Sequence, residues 1–175
     1  MIKIEITKSM AIQALKDAIE QGSLPNSILK GKGNFTGKIA EEAAKRFFGI
    51  ERQRNSTYHY DITYKSISFD VKAKRSKTMP QMNYEASVTD CNTRQNCKHY
   101  LFARVLWPEG LALPICVYLM GYYPKDLYLK NARYLKKGDQ DGDNGYIVKE
   151  SCWNMFYSDL YNLNEIIENK SVLLS

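Results

Sequence analysis

The run Ser68-Phe69-Asp70-Val71-Lys72-Ala73-Lys74-Arg75 constrains this chain more than any other stretch. Its alternation has the period of a half-buried β-strand. Ile67, Phe69, Val71 and Ala73 take one face, and Asp70 and Lys72 leave from the other. An acid and an amine are thereby held side by side above an apolar floor. A second acid, Asp61, comes nine residues earlier, at the end of another short extended run. Two acids and an amine are close to the minimum that holds a divalent cation and aims a water at a phosphodiester.

The rest of the chain is consistent with a globular host for such a site. Its 175 residues fit one domain with a real core. A net charge of +6 leans toward a polyanionic partner. No apolar run is long enough for a membrane span, which needs about 18 residues. The start, Met1-Ile2-Lys3-Ile4-Glu5-Ile6, alternates like a strand and lacks the apolar block of a signal peptide. The four cysteines contain no C-x-x-C pair, so an intracellular, cytoplasmic protein with reduced thiols is expected. Cys91, Cys97 and His99 offer three ligands where structural zinc sites use four.

Helical spacing of Met10, Ala14, Leu15, Ala18 and Ile19 predicts a helix from about Ser9 to Gln21, stopped by Gly22. Ser23 to Asn34 reads as a Gly- and Lys-bearing loop. A second helix is expected from Thr36, as N-cap, to Phe48, with Gly49 as its stop. Extended segments follow at Thr57–Tyr64, Ser66–Lys74 and Asn83–Val88, the first two joined as a hairpin at Lys65. Further strands are expected at Tyr100–Leu106, Ile115–Met120 and Tyr146–Val148, a helix at Pro124–Lys137, and weak helicity at Leu160–Asn169. The predicted class is α/β or α+β with a mixed central sheet flanked by helices.

Tyr60-Asp61 and Asp70-Val71-Lys72 resemble the PD-(D/E)xK nuclease superfamily, with Tyr60 where proline is usual. The helix before the hairpin reads Ala40-Glu41-Glu42-Ala43-Ala44-Lys45-Arg46-Phe47-Phe48-Gly49, similar to the family's acid-bearing helix. Its apolar arc ends beside Glu41, whereas Glu42 lies farther out, so Glu41 is the better placed acid. Gln95, ahead of the strand Tyr100-Leu101-Phe102-Ala103, matches a glutamine common in the family. The stretch Gly121–Leu127 and Lys136-Lys137-Gly138 resembles phage-type members. The likeness covers roughly residues 35 to 106 and implies one domain over 1–175 with a restriction-endonuclease-like core, 107–175 being a C-terminal elaboration that carries substrate choice or a homodimer surface.

What the resemblance implies is concrete. Asp61 and Asp70, with the Val71 carbonyl and Glu41, would ligate Mg²⁺ or Mn²⁺, hard cations that take oxygen ligands. Lys72 would hold the attacking water and the scissile phosphate. Gln95 would orient a phosphate or water. Lys74, Arg75 and Lys77 would contact the DNA backbone. The activity implied is that of a DNA endonuclease leaving 5′-phosphate and 3′-hydroxyl ends.

Other readings compete. Glu41 and Glu42 also form i,i+4 pairs with Lys45 and Arg46, as on a solvated helix face. His59 suits packing or a phosphate contact better than general-base work. The same fold without catalysis would be a nucleic-acid-binding module. Asp139, Asp141, Asp143 and Glu150 fall at positions 1, 3, 5 and 12 of an EF-hand loop, which would make a calcium-binding interaction protein. Asn144 stands where that loop needs glycine, and the exit reads as strand, so an acidic turn is favoured.

Overall fold

The structure, a computed structural model, describes residues 1–22, 33–50, 59–142 and 145–168. Strand β1 (Ile2–Glu5) leads into helix α1 (Lys8–Gln21), whose N-cap Thr7 accepts from the Met10 N–H at 3.3 Å. Helix α2 (Asn34–Phe48) starts two residues before the expected Thr36. Gly33 is its N-cap and makes no side-chain cap bond. Its far end is as expected, with Gly49 at φ 64° in the left-handed region that glycine adopts without strain.

Strands β2 (Ile62–Tyr64) and β3 (Ile67–Ser76) form the expected antiparallel hairpin. Lys65 and Ser66, at φ 44° and 68°, make a two-residue turn whose twist suits the paired strands. Of the strand expected from Thr57, residues 57–58 lie outside the described residues and 59–61 are not strand; β2 begins after Asp61, not before it. Then come β4 (Glu85–Thr89), a one-turn 3₁₀ helix (Asp90–Asn92), β5 (His99–Leu106) and β6 (Cys116–Pro124).

Beyond Pro124 the expected long helix is divided. Helix α3 (Lys125–Asn131) stops at Ala132, whose ψ of 148° is extended, and Arg133–Leu135 becomes strand β7. The cause is β8 (Cys152–Phe156), a strand not foreseen, which pairs with β7 on one edge and β4 on the other. The strand expected at Tyr146–Val148 amounts to one bridge, Gln140 to Ile147. Helix α4 (Asn164–Glu168) is the short helix of the tail.

Two sheets result. The five-stranded sheet runs β1-β6-β5-β3-β2 and is mixed, with β3 parallel to β5 and the other neighbours antiparallel. The three-stranded sheet runs β4-β8-β7. The fold is therefore mixed α and β. Part of the 107–175 stretch is no appendage, because β6 lies inside the main sheet between β1 and β5.

Both faces of the main sheet are apolar, so β6 is buried from Cys116 to Tyr123. On one face Phe69, Val71, Leu101, Ala103, Val117 and Leu119 pack against Ile39, Ala40, Ala43 and Ala44 of α2. On the other, Tyr100, Phe102, Tyr118 and Met120 pack against Tyr128 of α3 and Ala86, Val88 and Met155 of the smaller sheet. A bulge between Phe102 and Ala103 shifts the β6 register by one residue. That is why Tyr122 joins the α2-side core although Val117 and Leu119 set the opposite parity. Among the described residues no helix is long and apolar enough to cross a membrane. All four cysteines are free.

Candidate active site

Asp70 and Lys72 leave β3 on the face away from α2, as the alternation predicts. Asp70 is 3% exposed and sits opposite Tyr100 in the β3–β5 register. Its Oδ2 lies 2.7 Å from Lys72 Nζ. The approach has the distance of an ion pair without the angle of a hydrogen bond, so this buried oxygen has no directional donor. Lys72 Nζ turns instead to Gln95, donating to Oε1 at 2.9 Å, and stands 5.7 Å from the centre of the Tyr100 ring.

Asp61 is placed by the start of the hairpin. Its N–H donates to the Phe69 carbonyl at 2.9 Å, and its Oδ2 accepts from the Val71 N–H at 2.7 Å. The side chain thus takes the place of a paired strand at an edge where β2 has not begun. Strand alternation turns the Val71 carbonyl toward this same open edge. Asp61 is also close enough to Asp70 for its charge to act on the Asp70 carboxyl.

Glu41 comes from α2 and is 7% exposed, so the solvated-face reading fails for it. Lys38, one turn earlier, donates to both its oxygens at 2.8 and 2.9 Å. The i,i+4 pairs expected for the two glutamates are replaced by i,i+3 pairs, Glu41 with Lys38 and Glu42 with Lys45. Glu41 lies near enough to Asp61 for the Asp61 charge to act on it.

Crowding of acids shows in their protonation. Burial, then Lys72 in opposition and Asp61 in support, leaves the Asp70 carboxyl pushed up to about 7. Burial and then Asp61 also raise Glu41, and Lys38 offsets only part of this. Burial pulls the Lys38 amine down, but Glu41 more than compensates and the net direction is up, so Lys38 stays charged. Both members of that pair move upward. The upward direction for Glu41 rests on a second carboxylate beside it in a dry site.

Several residues around the site carried no sequence signal, or a weak one. Lys38 was missed, and its i,i+3 spacing from Glu41 is the signal that finds it. Lys125, at the start of α3, donates to the Gln95 carbonyl and so holds the glutamine from behind. Cys97 and Tyr100 form the buried wall; burial, then Asp70, pushes the Cys97 thiol up to about 11. The Tyr100 hydroxyl is buried without a partner, and burial raises it too. His59 accepts from the Asn96 N–H at 3.4 Å, a loop contact.

The three basic residues expected on the DNA backbone do not share a face. Lys74 follows Asp70 and Lys72 on one side of β3 and donates to Ser87 Oγ at 2.7 Å. Arg75 points the other way, its guanidinium 4.5 Å from the Trp107 ring centre. Lys77 is exposed and paired with Glu109 at 2.9 Å. The acidic loop is tied up as well: Asp139 Oδ2 accepts from the Lys136 N–H, Asp141 pairs with Arg133, and Glu150 with Lys137. Asp143 and Asn144 lie outside the described residues.

The arrangement is two adjacent carboxylates, a lysine held by a glutamine, and a third carboxylate behind its own lysine. Among the described residues no group of three or more His, Cys, Asp or Glu side chains is arranged to hold a metal ion. The donors that do converge are the pair Asp61 and Asp70. Comparison with protein-family models, with curated proteins and with solved structures returns no match to the chain.

Proposed function

We propose that the protein is a metal-dependent DNA endonuclease of the PD-(D/E)xK type, with a restriction-endonuclease-like core. The observation that carries the reading is the convergence of Asp61, Asp70, Lys72 and Gln95 at the open end of one hairpin. Unrelated surface charges are rarely buried and bonded to one another, and burial here also pushes the Asp70 carboxyl up to about 7.

The donor set fits a hard divalent cation in part. Asp70 Oδ2 is a buried oxygen without a donor, and a cation satisfies it. Asp61, Asp70 and the Val71 carbonyl would hold Mg²⁺ or Mn²⁺, with Glu41 contributing once free of Lys38. Such a cation, when bound, supplies positive charge to a phosphate oxygen and lowers the pKa of a water. The residues do the rest. Lys72 positions the water and neutralises charge developing on the phosphate. Gln95, braced by Lys125, shares the Lys72 ammonium with Asp70 and fixes its direction. The water oxygen bonds to phosphorus and gives up a proton to solvent, the bond to the 3′ oxygen breaks, that oxygen takes a proton from solvent, and the products are a 5′-phosphate and a 3′-hydroxyl. Incubation with plasmid and branched DNA in Mg²⁺, Mn²⁺, Ca²⁺ or EDTA tests this. Cleavage with Mg²⁺ or Mn²⁺ and none in EDTA supports it, and cleavage unaffected by EDTA contradicts it.

One observation favours a second reading, a non-catalytic nucleic-acid-binding module on the same fold. Lysines occupy two of the three acids, Lys38 on Glu41 and Lys72 on Asp70. Salt-dependent DNA binding with no product under any metal would establish it.

A further inference from the structure

A cavity of about 840 Å³ lies where the smaller sheet meets the far half of β3. Its floor is one face of that sheet, bearing Ser87, Cys152, Asn154 and Phe156, while Ala86, Val88 and Met155 turn the other face to the core. Lys74 and Arg104, cross-strand neighbours on β3 and β5, form its roof. The volume is in the range of small-ligand sites, about 300–1,000 Å³.

Its charges are unequal. The acids on the wall are engaged, Glu85 and Asp141 by Arg133 at 2.7 and 2.9 Å, and Glu150 by Lys137 at 3.1 Å. Arg104 is held by the Tyr157 hydroxyl at 2.7 Å and the Glu85 carbonyl at 3.3 Å, and no carboxylate among the described residues pairs with it. Lys74 has only the Ser87 hydroxyl, and no carboxylate among the described residues pairs with it. Lys74 keeps contact with solvent, but the walls and then Arg104 hold its amine below its ordinary value. An anion would relieve both cations. Tyr84 and Phe156 supply ring surface on the wall. Asn154 Oδ1, on a residue 6% exposed, is a buried acceptor with no donor.

We infer that this cavity is a subsite for one unpaired nucleotide of the nucleic-acid strand, its phosphate on Lys74 and Arg104, its base against the aromatic wall with an N–H on Asn154 Oδ1. The inference rests on the nucleic-acid reading of the Asp70 site and names the substrate class. Lys74 is four residues beyond Asp70 on the same face of β3, about 13 Å along a strand. A single strand of nucleic acid spans that with roughly four stacked nucleotides. A duplex is too wide for the cavity, so the nucleotide it takes must be extruded or already single-stranded. Substrates with unpaired nucleotides near the cut are therefore preferred over intact duplex.

The test is a titration of the full chain in EDTA followed by the protein's own amide NMR shifts, with dAMP, deoxyribose 5-phosphate and inorganic phosphate as probes. The expected result is that dAMP binds and the probes without a base bind at least about tenfold more weakly. Asn154→Leu weakens dAMP about tenfold and Lys74→Gln several-fold, while Lys16→Gln on exposed α1 changes nothing. Lys74 is exposed, so its variant keeps the test valid if Asn154→Leu does not fold. Absent dAMP binding, or binding that Lys74→Gln leaves intact, overturns the subsite even if plasmid is cut. A plasmid left whole alongside nucleotide binding that depends on Lys74 sinks the nuclease reading and retains the subsite.

Discussion

The two halves of β3 present the same face to different company. Around Asp70 and Lys72 the acids and amines are packed on one another, and each is engaged by a neighbour within the protein. Around Lys74 the strand faces a cavity, and its cation is left to a hydroxyl. A dry, mutually braced cluster suits chemistry, because preorganised charge costs no reorganisation in the transition state. An open, unmatched cation suits docking, because phosphate contacts position a strand without reading it. The difference comes from what is packed across from each half: Tyr100 and the Gln95 loop at one end, and the smaller sheet at the other.

The sharpest test separates the halves by kinetics. Lys72→Ala should lower kcat on a cleavable substrate about a thousandfold with KM little changed, the signature of an interaction made in the transition state. Lys74→Ala should raise KM about tenfold with kcat little changed. If both variants lose kcat equally, β3 has no division of labour. Gln95→Ala should cost about tenfold in kcat, since Lys72 then loses the acceptor that orients it and keeps its 2.7 Å approach to Asp70. In filter-binding titrations against salt, Lys74→Ala should reduce the slope of log K by about one and Lys72→Ala by less.

The smallest effect is on stability and has a definite sign. A carboxyl raised to about 7 in the folded protein binds its proton more tightly there than in the unfolded chain. Its contribution is fully present below the ordinary Asp pKa of about 4 and is lost as pH rises through about 7. Asp70→Asn removes that loss. In EDTA it should melt about 2–4 °C above the wild type at pH 8, with the gap closing at pH 4. An equal gap at both pH values would mean that Asp70 is not strained by burial. The Lys74 half should show no counterpart of this at acid pH.

Much of the Asp70 half was legible because its signals are local. Alternation from Ile67 to Ala73 set which side chains share a face, and the helical arc singled out Glu41. The Lys65-Ser66 turn was marked by the short gap between two extended runs. Asp61 was found, but its strand follows it, because the carboxylate itself caps Val71 where a partner strand would pair. The Lys74 half was not legible. Its cavity depends on β8, a five-residue strand whose partners Glu85–Thr89 and Arg133–Leu135 lie far away in sequence. Arg133–Leu135 continues the helical pattern of α3 and becomes strand only because β8 is there to pair with it. Lys125 behind Gln95 is likewise a contact across thirty residues that no spacing reveals.

The measurement that bears most directly on this account is cleavage of supercoiled and branched DNA by the wild type and Asp70→Ala, each with Mn²⁺ and with EDTA. The account predicts cut DNA with 5′-phosphate ends for the wild type with Mn²⁺, and intact DNA in the other three reactions. Cleavage by Asp70→Ala at the wild-type rate, or intact DNA throughout, would contradict it.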